Sequence, residues 1–509
     1  MNYKLPKILL KAQYTTCRSS IRVRCLAMQS SLSINNMNPA LKNVEYAVRG
    51  PILIRANEIQ EELNKGNKSF PFSKVIKANI GDCHATGGRY ITFIRQVLSM
   101  CTYPQLEHKT SSIPPDVVAR AKKILQNCGP GKSLGSYSES AGIACLRHDV
   151  AAYISKRDGI PADYKNVMAS CGASDGIRAI LKLVIASPEE KLRSGVMVPI
   201  PQYPLYSAAL SEYNMDKIGY FLDESKGWGI SMDELIRAFE EAKTKCTPRA
   251  IVVINPGNPT GQLINEQNIH EVIRFAKDRN LIVLADEVYQ DNIYDSNQPF
   301  VSFRKVLLTM PAPYNKTELA SFHSASKGFM GECGARGGYM EINNFDEKVV
   351  FQLLKLLSTN LCPPVWGQAV MDLVISPPEK GDPSYELYFK ERSQNLKDLK
   401  TKAELVSRLL NEIDGISCNP IKGAMYAFPR IDLPKKFVEM CKKDNVHPDA
   451  SYCLRLLEET GICVVPGSGF GQKDGTYHFR MTILPSLSEI ETLLLKLKNF
   501  HEKLIKDFK

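Results

Sequence analysis

A lysine stands among small and hydroxylic residues in Ser321-Phe322-His323-Ser324-Ala325-Ser326-Lys327-Gly328-Phe329-Met330-Gly331. That framing is unlike a solvated surface lysine. A lysine that is desolvated or set near other cations has its pKa lowered and becomes a nucleophile. Just downstream, Gly334-Ala335-Arg336-Gly337-Gly338 frames a guanidinium with glycines. Such a group grips phosphate or carboxylate through two parallel hydrogen bonds. Upstream, the apolar run Leu281 to Ala285 ends in Asp286-Glu287-Val288-Tyr289. A carboxylate placed directly after such a run is costly to bury without a cationic partner. In Asn255-Pro256-Gly257-Asn258-Pro259-Thr260-Gly261, prolines and glycines force a rigid turn that presents the Asn258 amide. Finally, Val167 to Ser170 runs into Gly172-Ala173-Ser174-Asp175-Gly176 and then a helical stretch. Small residues at a helix start let backbone N–H groups approach an anion.

Each feature alone has a plainer reading: a turn, a helix cap or a surface charge. Together they supply an anion cradle, a fixed amide, a buried acid and a glycine-flanked lysine in one strand order. Pyridoxal 5'-phosphate (PLP) needs that set: a phosphate anchor, a partner for its ring nitrogen, donors to its phenolic oxygen and a lysine for its aldehyde.

The elements that must position these residues follow from periodicity. The apolar runs Val167 to Ser170, Val196 to Ile200, Ile251 to Ile254 and Leu281 to Ala285 lack alternation, as strands buried on both faces do. Ile177 to Ile185 and Glu266 to Arg279 supply helical crossovers. An α/β fold with a mainly parallel sheet sandwiched by helices is expected. Ligands of such sheets bind beyond the carboxyl ends of the strands, where the polar loops fall. A composition break at Ser376 to Pro383 precedes a charged helix over Tyr385 to Glu412, then strand-like Ile462 to Val465 and His478 to Leu484. The expected organisation is a basic leader over 1–43, an N-terminal segment over 44–115 packing with a small domain, a large domain over 116–380, and a small α+β domain over 381–509.

The 509 residues, 44% hydrophobic and 23% charged, suffice for a large core. The net charge of +11 comes mostly from Lys4, Lys7, Lys11, Arg18, Arg22, Arg24 and Lys42, ahead of the first acid, Glu45. The body shows no run of like charge with interleaved aromatics, so no nucleic-acid partner is expected. No apolar stretch is long enough to span a membrane, so no membrane partner is expected either. The acid-free leader reads as a mitochondrial transit peptide, with a basic tail on a cytoplasmic protein as the alternative. Fourteen cysteines occur without metal-ligand spacing; free thiols and no metal are expected, with Cys333 a packing residue.

The motifs at Asn255–Gly261, Ala285–Tyr289 and Ser324–Gly328 resemble those of fold-type I, class I/II aminotransferases. Longer stretches resemble the alanine aminotransferases: Val44–Pro51, Pro199–Tyr206, Gly331–Gly334 and Arg455–Gly471. The likeness runs from about residue 44 to the C-terminus. It implies a PLP-dependent alanine transaminase that exchanges the amino group of L-alanine with 2-oxoglutarate by a ping-pong cycle. Lys327 is then the catalytic lysine that carries the cofactor and shuttles the proton. Asp286 pairs with the ring nitrogen, Asn258 and Tyr289 reach the phenolic oxygen, and Tyr203 stacks on the ring. Ala173, Ser174, Ser324, Ser326 and Arg336 hold the phosphate. Tyr137 resembles a tyrosine that reaches the phosphate of a neighbouring subunit, implying a homodimer. Arg480 resembles the arginine for the substrate carboxylate, Gly81 belongs to a loop closing over the substrate, and Asn258 also touches substrate. A cis bond is expected at Asn258–Pro259. Lys132 departs from the histidine of relatives, which changes the charge at the entrance.

The alternatives share the fold or the cofactor. A glutamate/alanine–glyoxylate aminotransferase would share nearly every residue, and relative turnover of pyruvate and glyoxylate separates the two. A PLP lyase would not exchange keto acids stoichiometrically. An aminotransferase-like ligand sensor would carry a DNA-binding domain ahead of residue 44.

Overall fold

A computed structural model describes residues 31–42, 44, 46, 50–108 and 112–509. Most of the expected leader, and Glu45, Ala47, Val48 and Arg49 of the first family-like stretch, lie outside the described residues. Residues Ile76–Lys77 form a short strand, β1. The central sheet takes β2 (Val167–Cys171), β3 (Ser194–Ile200), β4 (Asp216–Phe221), β5 (Thr247–Ile254), β6 (Ile282–Asp286), β7 (Leu319–Ser324) and β8 (Gly337–Asn343). Short strands follow: β9 (Ile416–Ser417), β10 (Tyr426–Ala427), β11 (Arg430–Ile431), β12 (Ile462–Cys463), β13 (Val465–Pro466) and β14 (Phe479–Thr482).

The seven strands lie in the order β2-β8-β7-β6-β5-β3-β4. All neighbours are parallel except β8, which runs antiparallel to both β7 and β2. Every residue of β3, β7 and β8 is buried, as expected of strands covered by helices on both faces. The run before Asp286 and the run before Asn255 pair in register, Ile254 opposite Asp286, and Asp286 opposite Phe322 on β7. β4, β7 and β8 escaped the periodicity reading. Their sequences mix Ser, His, Glu, Lys and Tyr among apolar residues, so no unbroken apolar run marks them.

Helices over Ala173–Leu183 and Glu266–Asp278 supply the expected crossovers, and the long helix spans Tyr385–Asn411. The C-terminal region adds the three-stranded sheet β10-β14-β13 and the helix Leu487–Asp507, started by a capping box of Ser486 and Glu489. The segment 44–115 divides in its contacts. β1 pairs with β12, and the helix Pro51–Asn64 packs through Ala56 and Ile59 against Leu457 and Cys463. The helix Thr92–Thr102 instead turns Phe93, Ile94, Val97 and Met100 toward Val117, Ala121 and Val370 of the large region. Its apolar stripe is the cause, since each such side chain gains about 1.5–3 kcal/mol when buried.

Candidate active site

Because β2, β3, β5, β6 and β7 run in one direction, the loops that leave them open on one edge of the sheet. Because β8 runs back, its first residues start on that same edge. Arg336, immediately before β8, thus meets Gly172, immediately after β2, across the register pair Cys171 and Gly337. The edge encloses a cavity of about 370 Å³. Ala173, Ser174, Tyr203, Asn258, Asp286, Tyr289, Ser324, Ser326, Lys327, Arg336, Gly81 and Arg480 all line it. Of the expected site residues only Tyr137 stands apart: it is 74% exposed on the surface of this chain. Lys132 does not line the cavity either.

At one end sits an anion cradle. Gly172 has φ +71 and starts the helix Ala173–Leu183, so N–H groups of the first turn face outward. A Cβ on Gly172 would run into the Arg336 guanidinium. Arg336 donates to Ser326 Oγ at 3.2 Å, Cys333 O at 2.9 Å and Cys171 O at 3.2 Å. Those are neutral acceptors, so the positive charge keeps capacity for an anion.

In the middle, adjacent strands deliver an acid and an amine. Asp286, the last residue of β6, is 4% exposed. Burial pushes its carboxyl up to about 6, although the Tyr206 hydroxyl, the Val288 N–H and Lys327 favour the anion. Tyr206 donates to Oδ2 at 3.1 Å. The Lys327 amine donates to Gly81 O at 3.4 Å and lies 5.6 Å from the centre of the Tyr289 ring. The expectation of a lowered lysine pKa is corrected here. Burial does pull the amine down, but Tyr426 and the thiols of Cys333 and Cys83 outweigh it and carry it above its ordinary value. Burial pushes the Tyr426 phenol up, yet Lys327 and Arg480 outweigh that and bring it below its ordinary value. Tyr289, beside Tyr426, is held far above its ordinary value by burial and by Tyr426.

At the other end, Arg480 of β14 is 1% exposed. It donates to Asn258 Oδ1 at 3.2 Å and Asn79 O at 2.8 Å, and stacks 4.1 Å from the Tyr426 ring centre and 4.8 Å from that of Phe470. Its Nε is buried without a hydrogen-bond partner among the described residues. Among the described residues no carboxylate forms an ion pair with it. A buried guanidinium held only by neutral groups is poised for an anion. Asn258 comes from the proline-rich loop, whose peptide before Pro259 is cis, as is the one before Pro256. Gly81 has no room for a side chain, since a Cβ would overlap the Tyr426 hydroxyl. Tyr203 shares a hydrogen bond with Tyr46, hydroxyl to hydroxyl at 3.0 Å.

Tyr46, Asp82, Tyr426 and Cys333 also line the cavity, and Tyr206 supports Asp286 from behind. None was singled out as a site residue from sequence. Tyr206 follows Tyr203 by three, one turn along the helix that starts at Pro204, the only local signal it carried. Cys333, expected as packing, does pack, donating to Ser326 O at 3.0 Å, and also borders the cavity.

The family described as "Aminotransferase class I and II" matches residues 96–497. Human alanine aminotransferase 1 is 55% identical over 474 residues, covering 93% of this chain and 95% of its own length. A Dictyostelium discoideum protein named probable alanine aminotransferase, mitochondrial, is 44% identical over 490 residues, covering 94% and 91%. Among solved structures, an alanine aminotransferase from Pyrococcus furiosus superposes with a TM-score of 0.71 at 22% identity, covering 92% of this chain and 99% of that one. The last likeness speaks to the fold alone, which is that of fold-type I aminotransferases. With a family match across most of its length and relatives above half identity, the chain belongs to the class I and II aminotransferases.

Proposed function

We propose that this chain is an alanine transaminase that binds PLP and exchanges the amino group of L-alanine with 2-oxoglutarate. The observation that carries the reading is Arg480, a buried guanidinium with neutral partners and an unpartnered Nε, at the far end of a cavity that also holds Lys327 and Asp286. Its relatives are named for this activity at up to 55% identity.

The residues fit PLP. A cradle that a single Cβ would fill stands at one end, and in the middle a buried carboxylate without an ion-pair partner among the described residues. Ala173, Ser174, Ser324, Ser326 and Arg336 would hold the phosphate, Asp286 the ring nitrogen, and Asn258 and Tyr289 the phenolic oxygen. Tyr203 would cover a ring face. Bound PLP supplies an aromatic electron sink for the pair left when the amino acid Cα loses its proton. Asp286, ionised near neutral pH, keeps the ring nitrogen positive. Lys327 would hold the cofactor, and its amine, when free, would take up and return the proton of the bound amino acid's Cα. Arg480 fixes the α-carboxylate so that the Cα–H bond faces that amine. The Gly81 segment closes over the bound acid and excludes water.

The exposure of Tyr137 supports a homodimer in which it reaches a partner's phosphate end. Sedimentation of the holoenzyme at twice the chain mass is the expected outcome. The basic leader, and the printed name of the Dictyostelium relative, support a mitochondrial location, which import and N-terminal sequencing would test. Among the described residues no helix is long and apolar enough to cross a membrane. On this reading the substrates are small amino and 2-oxo acids. The direct test of function is an absorbance spectrum. The cofactor band should shift on adding L-alanine and return with 2-oxoglutarate; no shift with L-alanine overturns the assignment. Faster turnover of glyoxylate than of pyruvate would move it to the sister activity.

A further inference from the structure

Two residues before Arg480 lies a buried histidine that the reaction above does not use. His478 is 1% exposed and bridges through its backbone to Arg430. Side chains alternate along an extended chain, so His478 and Arg480 face the same side. An aromatic stack joins them. Phe428 lies on the His478 ring at 4.8 Å and 2°, Phe470 meets Phe428 at 5.8 Å, and Phe470 lies 4.8 Å from the Arg480 guanidinium.

The hydrogen bonds of His478 determine its proton count. Nδ1 is 2.9 Å from Gln472 Oε1, and Nε2 is 3.1 Å from Glu224 Oε1. The Gln472 amide cannot be turned over, because its Nε2 donates to Asp449 Oδ2 at 3.0 Å. A turned amide would set oxygen against a carboxylate that already accepts from the Ser468 and Ala450 N–H groups. Both ring nitrogens therefore face acceptors, an arrangement that a ring carrying hydrogen on both would satisfy. A neutral ring would leave one acceptor pair in repulsion inside the protein.

Glu224 follows β4 of the central sheet, whereas His478, Gln472 and Asp449 belong to the C-terminal region. Glu224 also receives Asn419 on its backbone oxygen at 2.9 Å and Arg430 on its carboxylate at 3.8 Å. The charged groups facing the histidine are thus Glu224, Arg430 behind it, and Asp449 through Gln472. Asp223, Glu234, Arg237, Lys473 and Asp474 also line the cavity that borders the pair.

We propose that His478 is an imidazolium bridging Gln472 to Glu224, and that this bridge is a positioning device that seats Arg480 against the loops of the central sheet. It rests on the carboxylate role of Arg480 proposed above. A shift of about 1 Å in a group that orients substrate is worth on the order of 10²-fold, so the height of β14 over the sheet matters to binding.

Two measurements on the holoenzyme test it. In ¹⁵N-histidine-labelled protein, the His478 signal, identified by its loss in His478→Gln, should show both nitrogens protonated at neutral pH. One protonated nitrogen overturns the proposal. Glu224→Gln keeps the side-chain size and removes the charge. It should raise KM for L-alanine and 2-oxoglutarate together by about tenfold, leave kcat within about twofold and leave the cofactor spectrum unchanged. Unchanged KM values overturn the positioning role, and a loss of heat stability without the KM-against-kcat split reduces the bridge to a structural one. If the variant does not fold, the spectrum of the unaltered protein still decides. Failure of the wild type to turn over L-alanine would sink the function instead, and the KM comparison would then use the donor it accepts.

Discussion

The two arginines at the ends of the cavity are built in opposite ways. Arg336 leans on Ser326 and on the carbonyls of Cys333 and Cys171, all at the sheet edge. Arg480 is sealed between Tyr426 and Phe470 and reaches Asn258 and Asn79 from a different sheet. The first is a local cradle that a few neighbouring residues fix. The second is assembled from segments near residues 79, 258, 426 and 480. A permanent ligand suits the first arrangement. A ligand that must come and go suits the second, whose partners come from separate segments of the chain.

The largest expected effect separates the centre from both ends. Lys327→Ala should lower amino transfer by about 10⁴-fold or more, measured in single turnovers with L-alanine, while the protein still binds PLP through its phosphate end. Next, Arg480→Gln should raise KM for both substrates by on the order of 10²-fold. A buried charged contact of this kind is worth about 2–5 kcal/mol, and PLP affinity should stay unchanged. Arg336→Gln should reverse that pattern, weakening PLP by roughly tenfold with KM near normal once cofactor saturates. If both variants move the same parameter, the contrast between the two ends fails.

A smaller effect concerns pH. Asp286 stands at about 6 in the folded chain, above its ordinary value, because burial opposes its charge. The folded protein then holds a proton there that the unfolded chain has released, so this group's contribution to stability falls as pH rises toward about 6. A cationic ring nitrogen offsets the buried charge. The gain in Tm on adding PLP should therefore be greater at about pH 7.5 than at about pH 5. Tyr206→Phe removes a donor to the anion and should move that transition to higher pH. An equal gain at both pH values would detach Asp286 from the cofactor.

The phosphate end was legible because its chemistry is local. Gly172 before a helix, Arg336 between glycines and Lys327 among serines each sit within a few residues of what they need. Tyr426 and Tyr206 were not legible. A tyrosine in an apolar run looks the same in sequence whether its hydroxyl faces packing or a cavity. The direction of the Lys327 shift was misjudged for the same reason: it depends on Tyr426, Cys83 and Cys333, which approach from distant segments. Helix and strand periodicity gave the crossovers and β2, β3, β5 and β6. It missed β4, β7 and β8, whose residues are polar in part yet paired within the sheet.

What the amino-acid order determined by itself was the set of reactive groups and the rigid turns that present them, since turn chemistry and strand burial act over a handful of residues. The antiparallel return of β8, the seating of Arg480 over Tyr426, and the meeting of His478 with Gln472 and Glu224 were decided only when remote segments met. Each depends on burial and on which donor faces which acceptor, and those quantities exist only in the folded chain.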